Sequence, residues 1–349
     1  MSDPTPPGRR QPTIHDVAAI AGVAASTVSR ALSDPGRVNA RTRERIQQAA
    51  AQINYLPSAR ASGLRSGKTG TVALLVPDIT NPFYFDIIKG TQLQLKAAGY
   101  SQLLVDTEES EAAEADALER LVKSVDGVVL VASRLSDERL AEVASAVPLV
   151  TINREVEGVG TVVLDTSSGI EQSVEHLVSL GHRAIGYVSG PDRSWSNLRR
   201  WAAVEAATAR LGVSAVRIGP FPPLMTSGAA AADAAVNSGV TACIAFNDLI
   251  AIGMLQRLAA RGVAVPEQVS IVGCDDIFGA DFCSPALTTI TAPKEGAGRA
   301  AISLLLTQLA GGRAGDARPT TVLSTHLTIR DSTGTAPVVG ATGPTGAAS

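Results

Sequence analysis

The spacing of apolar residues divides the chain into a short helical head and a long body in which strands and helices alternate. In the head, the first apolar residues follow the one-face spacing i, i+3, i+4 and i+7 of a helix: Ile14, Val17, Ala18 and Ala21. Thr13 precedes this helix and Asp16 lies three residues further on, a variant of the capping box whose usual acid is glutamate. Gly22 then marks a turn, because glycine tolerates the positive φ that a sharp turn between helices requires.

A second helix is predicted from Ala25 to about Leu32, with two unlike faces. Its inward face is apolar: Ala25, Val28 and Leu32. Its outward face is small and polar and carries a single arginine: Ser26, Ser29, Arg30 and Ser33. Two short helices joined through a glycine-containing turn form a helix-turn-helix unit, whose second helix enters the major groove of DNA. Arg30 can reach O6 and N7 of a guanine in a bidentate pair.

A third helix is expected after Asn39, a plausible N-cap. Its inner stripe is apolar: Ile46, Ala49, Ala50 and Ile53. Arginines crowd its start and could contact phosphates: Arg37, Arg41, Arg43 and Arg45. Pro57 suits the first turn of a further helix, although that segment is too short to be stable alone.

The body of the chain, from Thr69 to Arg330, alternates between strand-like and helix-like patterns. Apolar, β-branched runs occur at 72–76, 103–105, 128–131, 149–152, 162–164, 185–188, 243–246 and 269–272. Helical patterns between them include 85–98, 112–124, 169–180 and 249–260. Continuous apolar strands separated by helices predict parallel sheets covered on both faces. The region from Thr69 to Arg330 is longer than a single open sheet usually requires, so two α/β lobes are expected.

Charge is distributed unevenly along the chain. The net charge of -3 alone argues against nucleic-acid binding. Residues 1–68, however, contain ten Lys and Arg against four Asp and Glu, whereas the remainder contains 20 against 29. A basic head on an acidic body is the asymmetry expected of a DNA-binding domain joined to another function.

Several segments carry a specific family pattern: TIHDVA, AGV, STVSRAL, VNARTRERI, NYLPSA and the leucine at Leu64. In these segments the chain resembles the LacI/GalR (lactose-repressor) family of bacterial transcription regulators, and the resemblance extends to about Arg330. It implies a small all-α helix-turn-helix DNA-binding domain joined to an α/β core. That core would be similar to periplasmic binding proteins, with two lobes, parallel sheets and a ligand in the cleft between the lobes.

The pattern and the resemblance together predict a domain organisation. The expected divisions are a disordered N-terminal arm (1–12), the helix-turn-helix domain (13–56), a hinge helix and linker (57–69), a two-lobed effector-binding and dimerisation core (70–331) and a disordered tail (332–349). Within the core, lobe one is expected at about 70–166 and 293–320, and lobe two at about 167–290 and 323–331.

The DNA contacts implied by the helix face and by the resemblance lie in the head and the hinge. They are Thr13, Ala25, Ser26, Thr27, Ser29, Arg30, Asn39, Tyr55, Ser58, Ala61 and Leu64. Leu64 is expected to wedge into a minor-groove step and kink the duplex once two copies meet on DNA. The plainer interpretation is that Leu64 is a linker residue that packs on the core.

The effector contacts are expected where strands end, because ligands of open α/β sheets lie beyond the carboxyl ends of the strands. The candidates are Phe83, Tyr84, Asn153, Arg200, Asn247 and Asp275. Arg200 occupies the family's position for an arginine that binds the effector. Each candidate could instead be an ordinary loop polar residue, an N-cap or, for the aromatics, part of the core.

The resemblance implies a sequence-specific DNA-binding regulator, a repressor, that acts as a homodimer on a near-palindromic operator. Its operator affinity would be controlled by a small effector, a sugar or sugar-like molecule, bound in the cleft. An alternative is a family member whose co-repressor is a protein. A second alternative is a sugar-binding protein without a regulatory role.

Other classes of protein find less support in the sequence. Gly63 to Thr69 resembles a phosphate-binding P-loop, but only three residues separate Gly63 from Gly67 and the context is wrong, so no enzymatic activity is expected. Three cysteines and four scattered histidines have no metal-ligand spacing, and no metal or cofactor is expected. No apolar run approaches the about 20 residues of a membrane span, and no signal peptide precedes the head, which predicts a cytoplasmic protein.

Overall fold

The computed structural model describes residues 12–33, 35–55, 68–311 and 319–337. The chain forms two compact units, Met1–Gly70 and Thr71–Ser349. The predicted hinge segment from Ser58 to Leu64 lies outside the described residues, as do most of the predicted terminal arm and tail.

The described residues of the first unit form three helices: α1 (Ile14–Ala21), α2 (Ala25–Ser33) and α3 (Ala40–Gln52), with a 3-10 turn at Pro35–Arg37. The three helices predicted from the sequence are confirmed. The backbone N–H of Thr13 donates to Oδ2 of Asp16 over 2.7 Å, so the aspartate variant of the capping box forms at the start of α1. Gly22 ends α1 with φ +62°, the left-handed conformation expected of the turn.

The core of the first unit is formed where the three helices meet. Val17, Val28 and Ile46 are fully buried there, one from each helix. On α2 the residues predicted to face inward do so: Val28 is fully buried, and Ala25 and Leu32 are half-buried and pack against the same core. Ala31 is buried beside them.

The second unit contains two six-stranded sheets. The strands are β1 (Thr71–Val76), β2 (Ser101–Asp106), β3 (Gly127–Val131), β4 (Leu149–Ile152), β5 (Gly160–Asp165), β6 (Ala184–Val188), β7 (Ser214–Ile218), β8 (Ala242–Ala245), β9 (Ser270–Cys274), β10 (Thr288–Thr291), β11 (Thr320–Ser324) and β12 (His326–Thr328). The first sheet has the order β11-β5-β4-β3-β1-β2 and the second β12-β10-β9-β8-β6-β7. All neighbouring strands are parallel except β10 and β12.

Helices accompany both sheets and define two lobes. The helices are α4 (Phe83–Ala97), α5 (Glu111–Leu121), α6 (Asp137–Ala146), α7 (Thr166–Ser179), α8 (Trp195–Leu211), α9 (Gly228–Asn237), α10 (Asp248–Ala260) and α11 (Lys294–Leu309), with a 3-10 turn at Met225–Ser227. The first lobe contains the first sheet with α4, α5, α6 and α11, and the second lobe contains the second sheet with α7 to α10. The expected α/β core of two lobes with parallel sheets is confirmed.

The strands that the sequence pattern did not identify are β7, β10, β11 and β12. Their sequences, SAVRI, TTIT, TTVLS and HLT, alternate polar and apolar residues or are rich in threonine. Three of the four, β7, β11 and β12, lie at sheet edges. A search for continuous apolar runs detects strands buried on both faces and misses such edges.

Within the residues that the structure describes, the chain crosses between the lobes after β5, after β10 and after β11. Strand β11 pairs with β5 as far as Ser324, so the third crossing lies at Thr325 and not between 320 and 323 as the sequence suggested. The first and third crossings are joined, because the Thr325 hydroxyl donates to the carbonyl of Asp165 over 2.7 Å. Gly169 lies beside them, and a Cβ there would lie 2.4 Å from Cγ2 of Ile290.

Helices α4 and α11 of the first lobe pack with their backbones in close approach. A Cβ on Gly298 would lie 2.5 Å from the carbonyl oxygen of Ile87 and 2.9 Å from the backbone nitrogen of Thr91. A Cβ on Gly296, two residues earlier in the same helix, would lie 3.8 Å from its nearest neighbour, Pro293. Only the first position therefore requires glycine for packing.

Replacing Gly298 by alanine is expected to destabilise the protein by about 1–3 kcal/mol, because the two helices must separate. The matched control is Gly296→Ala, which is expected to be neutral or to stabilise by up to about 1 kcal/mol through its better helix propensity. Urea unfolding followed by circular dichroism measures both. Equal effects of the two substitutions would contradict the close packing of α4 on α11.

Candidate functional site

The predicted DNA-reading face lies on α2. Ser26 and Arg30 are exposed, and Ala25, Thr27 and Ser29 are half-buried. Val28 beneath them is fully buried, which anchors the helix through its opposite side. Small residues on the outer face allow the helix backbone to approach base edges closely, and Arg30 is the long donor among them.

The other predicted DNA contacts of the head lie at helix ends. Thr13 precedes α1 and Asn39 precedes α3, where the Asn39 side chain accepts a hydrogen bond from the backbone of Arg41 over 2.9 Å. Tyr55 packs against the three-helix core. Ser58, Ala61 and Leu64 lie outside the described residues, and their predicted contacts stay predictions.

A cleft lies between the two lobes of the core and is open to solvent. All six predicted effector contacts line it: Phe83, Tyr84, Asn153, Arg200, Asn247 and Asp275. The first three belong to the first lobe and the last three to the second. Asn153, Asn247 and Asp275 lie within two residues of the carboxyl ends of parallel strands, which brings residues far apart in sequence together. Phe83 and Tyr84 begin α4, and Arg200 lies in the second turn of α8.

Arg200 and Asp275 form an ion pair at the wall of the second lobe. Their side chains approach to 3.5 Å, and the two residues are 4% and 6% exposed. Arg200 also donates to the carbonyl of Phe246, and its guanidinium lies 4.8 Å from the centre of the Phe246 ring. Among the residues that the structure describes, Nε of Arg200 is buried and has no hydrogen-bond partner. A buried unpaired donor of this kind is energetically costly.

The loop after β9 is held so that Asp275 lies in the cleft. The buried ammonium of Lys294 donates to the backbone carbonyls of Asp275 and Asp276 over 2.6 and 2.8 Å. The Asp248 carboxylate accepts from the backbone N–H of Ile277 over 2.9 Å on the other side of the loop. Lys294 begins α11, a helix of the first lobe, so the Asp275 loop of the second lobe is hydrogen-bonded to the first residue of a first-lobe helix.

Burial shifts the titration of both carboxyls in this region. It raises the pKa of Asp275 to about 7, although the Arg200 guanidinium lowers it. It raises the pKa of Asp248 to about 6, against the hydrogen bond from Thr289. The desolvated carboxyls are thus more readily protonated than exposed ones.

The two predicted asparagines also have structural roles. The Asn247 side chain accepts from the backbone of Ile250 over 3.0 Å, capping α10, and donates to the carbonyl of Pro223 over 3.0 Å. The Asn153 carbonyl oxygen accepts from the backbone N–H of Leu164 over 2.9 Å. Each amide therefore keeps only part of its hydrogen-bonding capacity for a ligand.

The two predicted aromatics pack against each other on the wall of the first lobe. Phe83 and Tyr84 are nearly perpendicular, with ring centres 5.1 Å apart, and both are buried. Burial raises the pKa of the Tyr84 hydroxyl well above its ordinary value. These rings serve the core of the lobe and also offer an apolar edge to the cleft.

The structure adds cleft residues that the sequence candidates did not include: Asn81, Glu109, Ala132, Arg134, Ser194, Ser196, Pro223 and Phe246. Glu109 and Arg134 bring a second pair of opposite charges to the cleft. Each lies three residues past a strand, β2 or β3. The strand-end rule that found the other residues could have found these, had those two loops been searched.

The fold and the cleft together define the class of protein: a helix-turn-helix unit joined to a two-lobed, periplasmic-binding-protein-like core. Two family models match it, "Bacterial regulatory proteins, lacI family" over residues 13–58 and "Periplasmic binding protein-like domain" over 174–333. The HTH-type transcriptional repressor CytR of Escherichia coli (strain K12) is 32% identical over 330 residues, covering 92% of this chain and 96% of that protein.

Solved structures agree with this assignment. The lac repressor dimer bound to operator and the anti-inducer ONPF matches with a TM-score of 0.82 and 26% identity, covering 93% of this chain and all of that one. The transcriptional regulator CelR in complex with cellobiose matches with a TM-score of 0.68 and 30% identity, covering 92% and 99%. The chain belongs to the LacI family of bacterial transcription regulators, as its sequence motifs predicted. In the described part of the chain, no helix is long and apolar enough to cross a membrane.

The raised pKa of Asp275 predicts how stability changes with pH. Because the folded pKa of about 7 exceeds the value of 3.8 for an unperturbed aspartate, the folded state binds this proton more tightly than the unfolded state. The resulting stabilisation is complete below about pH 4 and is lost as the pH rises to about 7. Relative to Asp275→Asn, the wild-type protein should therefore lose thermal stability between about pH 4 and pH 8.

Melting temperatures of wild type and variant across this pH range measure the effect. Asp116→Asn, which changes an exposed carboxylate on α5, serves as the control for nonspecific charge effects. A difference between wild type and Asp275→Asn that stays constant or grows in favour of wild type with rising pH would contradict the prediction.

Proposed function

We propose that this regulator is a repressor whose affinity for its operator is controlled by a small, sugar-like effector bound in the cleft. The observation that carries the proposal is the buried Arg200, whose Nε lacks a partner among the described residues while its guanidinium borders the cleft. A polar ligand with hydroxyl groups would supply the missing acceptor.

In the proposal, DNA recognition belongs to α2. The exposed Ser26 and Arg30 face base edges in the major groove, and arginines near the start of α3 contact phosphates. The protein acts as a homodimer, so each subunit reads one half of a near-palindromic operator. The relative solved with operator is itself a dimer.

The effector is proposed to be a carbohydrate or a molecule of similar polarity. The cleft provides the mixture that such ligands require: an aromatic edge from Phe83, a buried cation at Arg200 and a carboxyl group at Asp275. The relative CelR is described in complex with cellobiose. Ligand pockets of this kind combine apolar walls with a few fixed polar groups.

Coupling between ligand and DNA is proposed to pass through the lobes. A ligand that contacts both walls favours one angle between them, and Lys294 ties the Asp275 loop to a helix of the opposite lobe. The lobe angle would set how the two hinge segments of a dimer meet, with Leu64 as the residue that inserts into DNA. Coupling of this type is reciprocal, so operator must weaken or strengthen effector binding by the same factor.

We infer no catalytic activity for this chain, because its relatives are regulators of transcription. A regulator that acts on chromosomal DNA works in the bacterial cytoplasm. A protein co-repressor in place of a small effector would leave the cleft without a specific ligand. Thermal-shift screening of the full chain with sugars and nucleosides separates these possibilities, because a specific ligand stabilises the native state by mass action.

The role of Arg30 can be tested by substitution with alanine. If Arg30 reads a guanine, Arg30→Ala should weaken operator binding by about 1–3 kcal/mol and relax discrimination at one base pair. Binding to an operator selected from random DNA, and to its single-base variants, measures both effects.

The matched control is Arg45→Ala, which removes an exposed cation on α3. If Arg45 contacts a phosphate, this change should weaken binding to all sequences alike and reduce the salt dependence. Equal weakening of every sequence by Arg30→Ala would show that Arg30 contacts the backbone and not a base.

A further inference from the structure

A second pair of opposite charges lies in the cleft, on the wall of the first lobe. Nε of Arg134 donates to Oε2 of Glu109 over 3.1 Å, and Nη2 of Arg134 contacts the same oxygen. Both side chains are mostly buried, 12% and 22% exposed. Within the described chain, the other carboxylate oxygen of Glu109 and Nη1 of Arg134 make no hydrogen bond. The pair therefore keeps one acceptor and one donor without a partner in the described chain.

The loop that carries Arg134 is held by a buried carboxylate. Glu114 on α5 is 3% exposed, and it accepts from the backbone N–H of Arg134 over 2.9 Å and from the hydroxyl of Ser133. The loop that carries Glu109 is joined to the end of β1, since the Glu109 N–H donates to the carbonyl of Pro77 over 2.8 Å. Both charges are thus placed by fixed loops and not by flexible surface side chains.

This pair lies near the pair already described on the second lobe. Tyr84, which lines the cleft, is within electrostatic reach of all four charged side chains: Glu109, Arg134, Asp275 and Arg200. The second pair contains the buried Nε of Arg200 that lacks a partner in the described residues. Two pairs of opposite charges, one on each lobe, therefore border one cleft.

We infer that Glu109 and Arg134 form a second ligand subsite, which binds two adjacent hydroxyl groups of an uncharged sugar ring and excludes anionic sugars. The inference rests on the proposed function, because it assigns the effector's chemistry at the same cleft. A hydroxyl both donates and accepts, so two neighbouring hydroxyls can satisfy the free carboxylate oxygen and the free guanidinium nitrogen together. Hydrogen bonds to charged groups of this kind contribute more than neutral ones.

The charge of the subsite accounts for its selectivity. Arg134 is neutralised by Glu109, so a carboxylate or phosphate on the ligand would meet no net positive charge and would be repelled by Glu109. Removing an anion from water without a compensating cation is costly. An uncharged polyol avoids that cost while using both free atoms of the pair.

A planar amide edge, as in a nucleobase, also presents a donor beside an acceptor. The two sources of this chemistry can be separated with simple probes. We assign the diol because Phe83 and Tyr84, the aromatic residues of this wall, are buried against each other and present no open ring face on which a nucleobase could stack. Uracil, which has the amide edge without a diol, is the probe for the alternative.

The experiment uses the full chain and isothermal titration with matched probes. The probes are D-glucose, D-galactose, D-xylose and cellobiose, the uronates of glucose and galactose, and uracil. For a neutral sugar that binds wild type, Glu109→Gln should weaken binding about tenfold and improve the relative affinity for the matching uronate by about tenfold, since Arg134 is then unpaired. Arg134→Gln should weaken binding of the neutral sugar without this gain.

The control is Glu119→Gln, which removes an exposed partner of Arg139 on the same lobe and should leave the binding of every probe unchanged. Melting temperature and ligand-free operator binding of each variant verify folding. The change in preference toward uronates is a result that mere loss of structure would not produce.

Three other results would contradict the proposed subsite. Wild-type binding of a neutral sugar that is unchanged in Glu109→Gln and Arg134→Gln would overturn the subsite and leave the proposed function intact. Preference of the wild type for uronates or uracil would overturn the assigned chemistry. Failure of every probe to bind wild type, with operator binding retained, would overturn the proposed sugar effector and the subsite with it.

Discussion

The buried ion pair between Arg200 and Asp275 is the constraint on which the ligand-binding core depends. Removing Asp275 would leave the buried Arg200 guanidinium without its charged partner, a loss that typically costs about 3–5 kcal/mol. Asp275 is in turn fixed through its backbone by Lys294, which begins a helix of the opposite lobe. Because of this link, a ligand that engages the pair acts on residues connected to both lobes.

In the head, different residues of α2 serve stability and the proposed recognition of DNA. Buried Val28 holds α2 in the three-helix core, whereas the exposed Ser26 and Arg30 contribute little to that core. Specificity for DNA can therefore change with the outer residues while the fold is retained. In the core, the strands and helices set the lobes, and the loops at the strand ends set the chemistry of the cleft.

Much of this arrangement follows from local sequence signals. The helices of the head were predictable because capping residues and one-face periodicity agree there. The six effector candidates lie in one cleft because parallel strands direct their carboxyl ends to one edge. Edge strands such as β11 were missed, since half-exposed strands lack continuous apolar runs. The pairing of Glu109 with Arg134 could not be predicted, because Glu114 holds the Arg134 loop through a hydrogen bond to its backbone N–H. Residue spacing does not reveal such a contact between distant parts of the chain.

The central claim is that occupancy of the cleft controls affinity for DNA. The most direct measurement is the dissociation constant of the full chain for an operator selected from random DNA, with and without a saturating ligand that stabilises the core. We expect the ligand to change operator affinity by about tenfold or more, and the operator to change ligand affinity by the same factor. Operator affinity that is unchanged by a ligand proven to occupy the cleft would contradict the account.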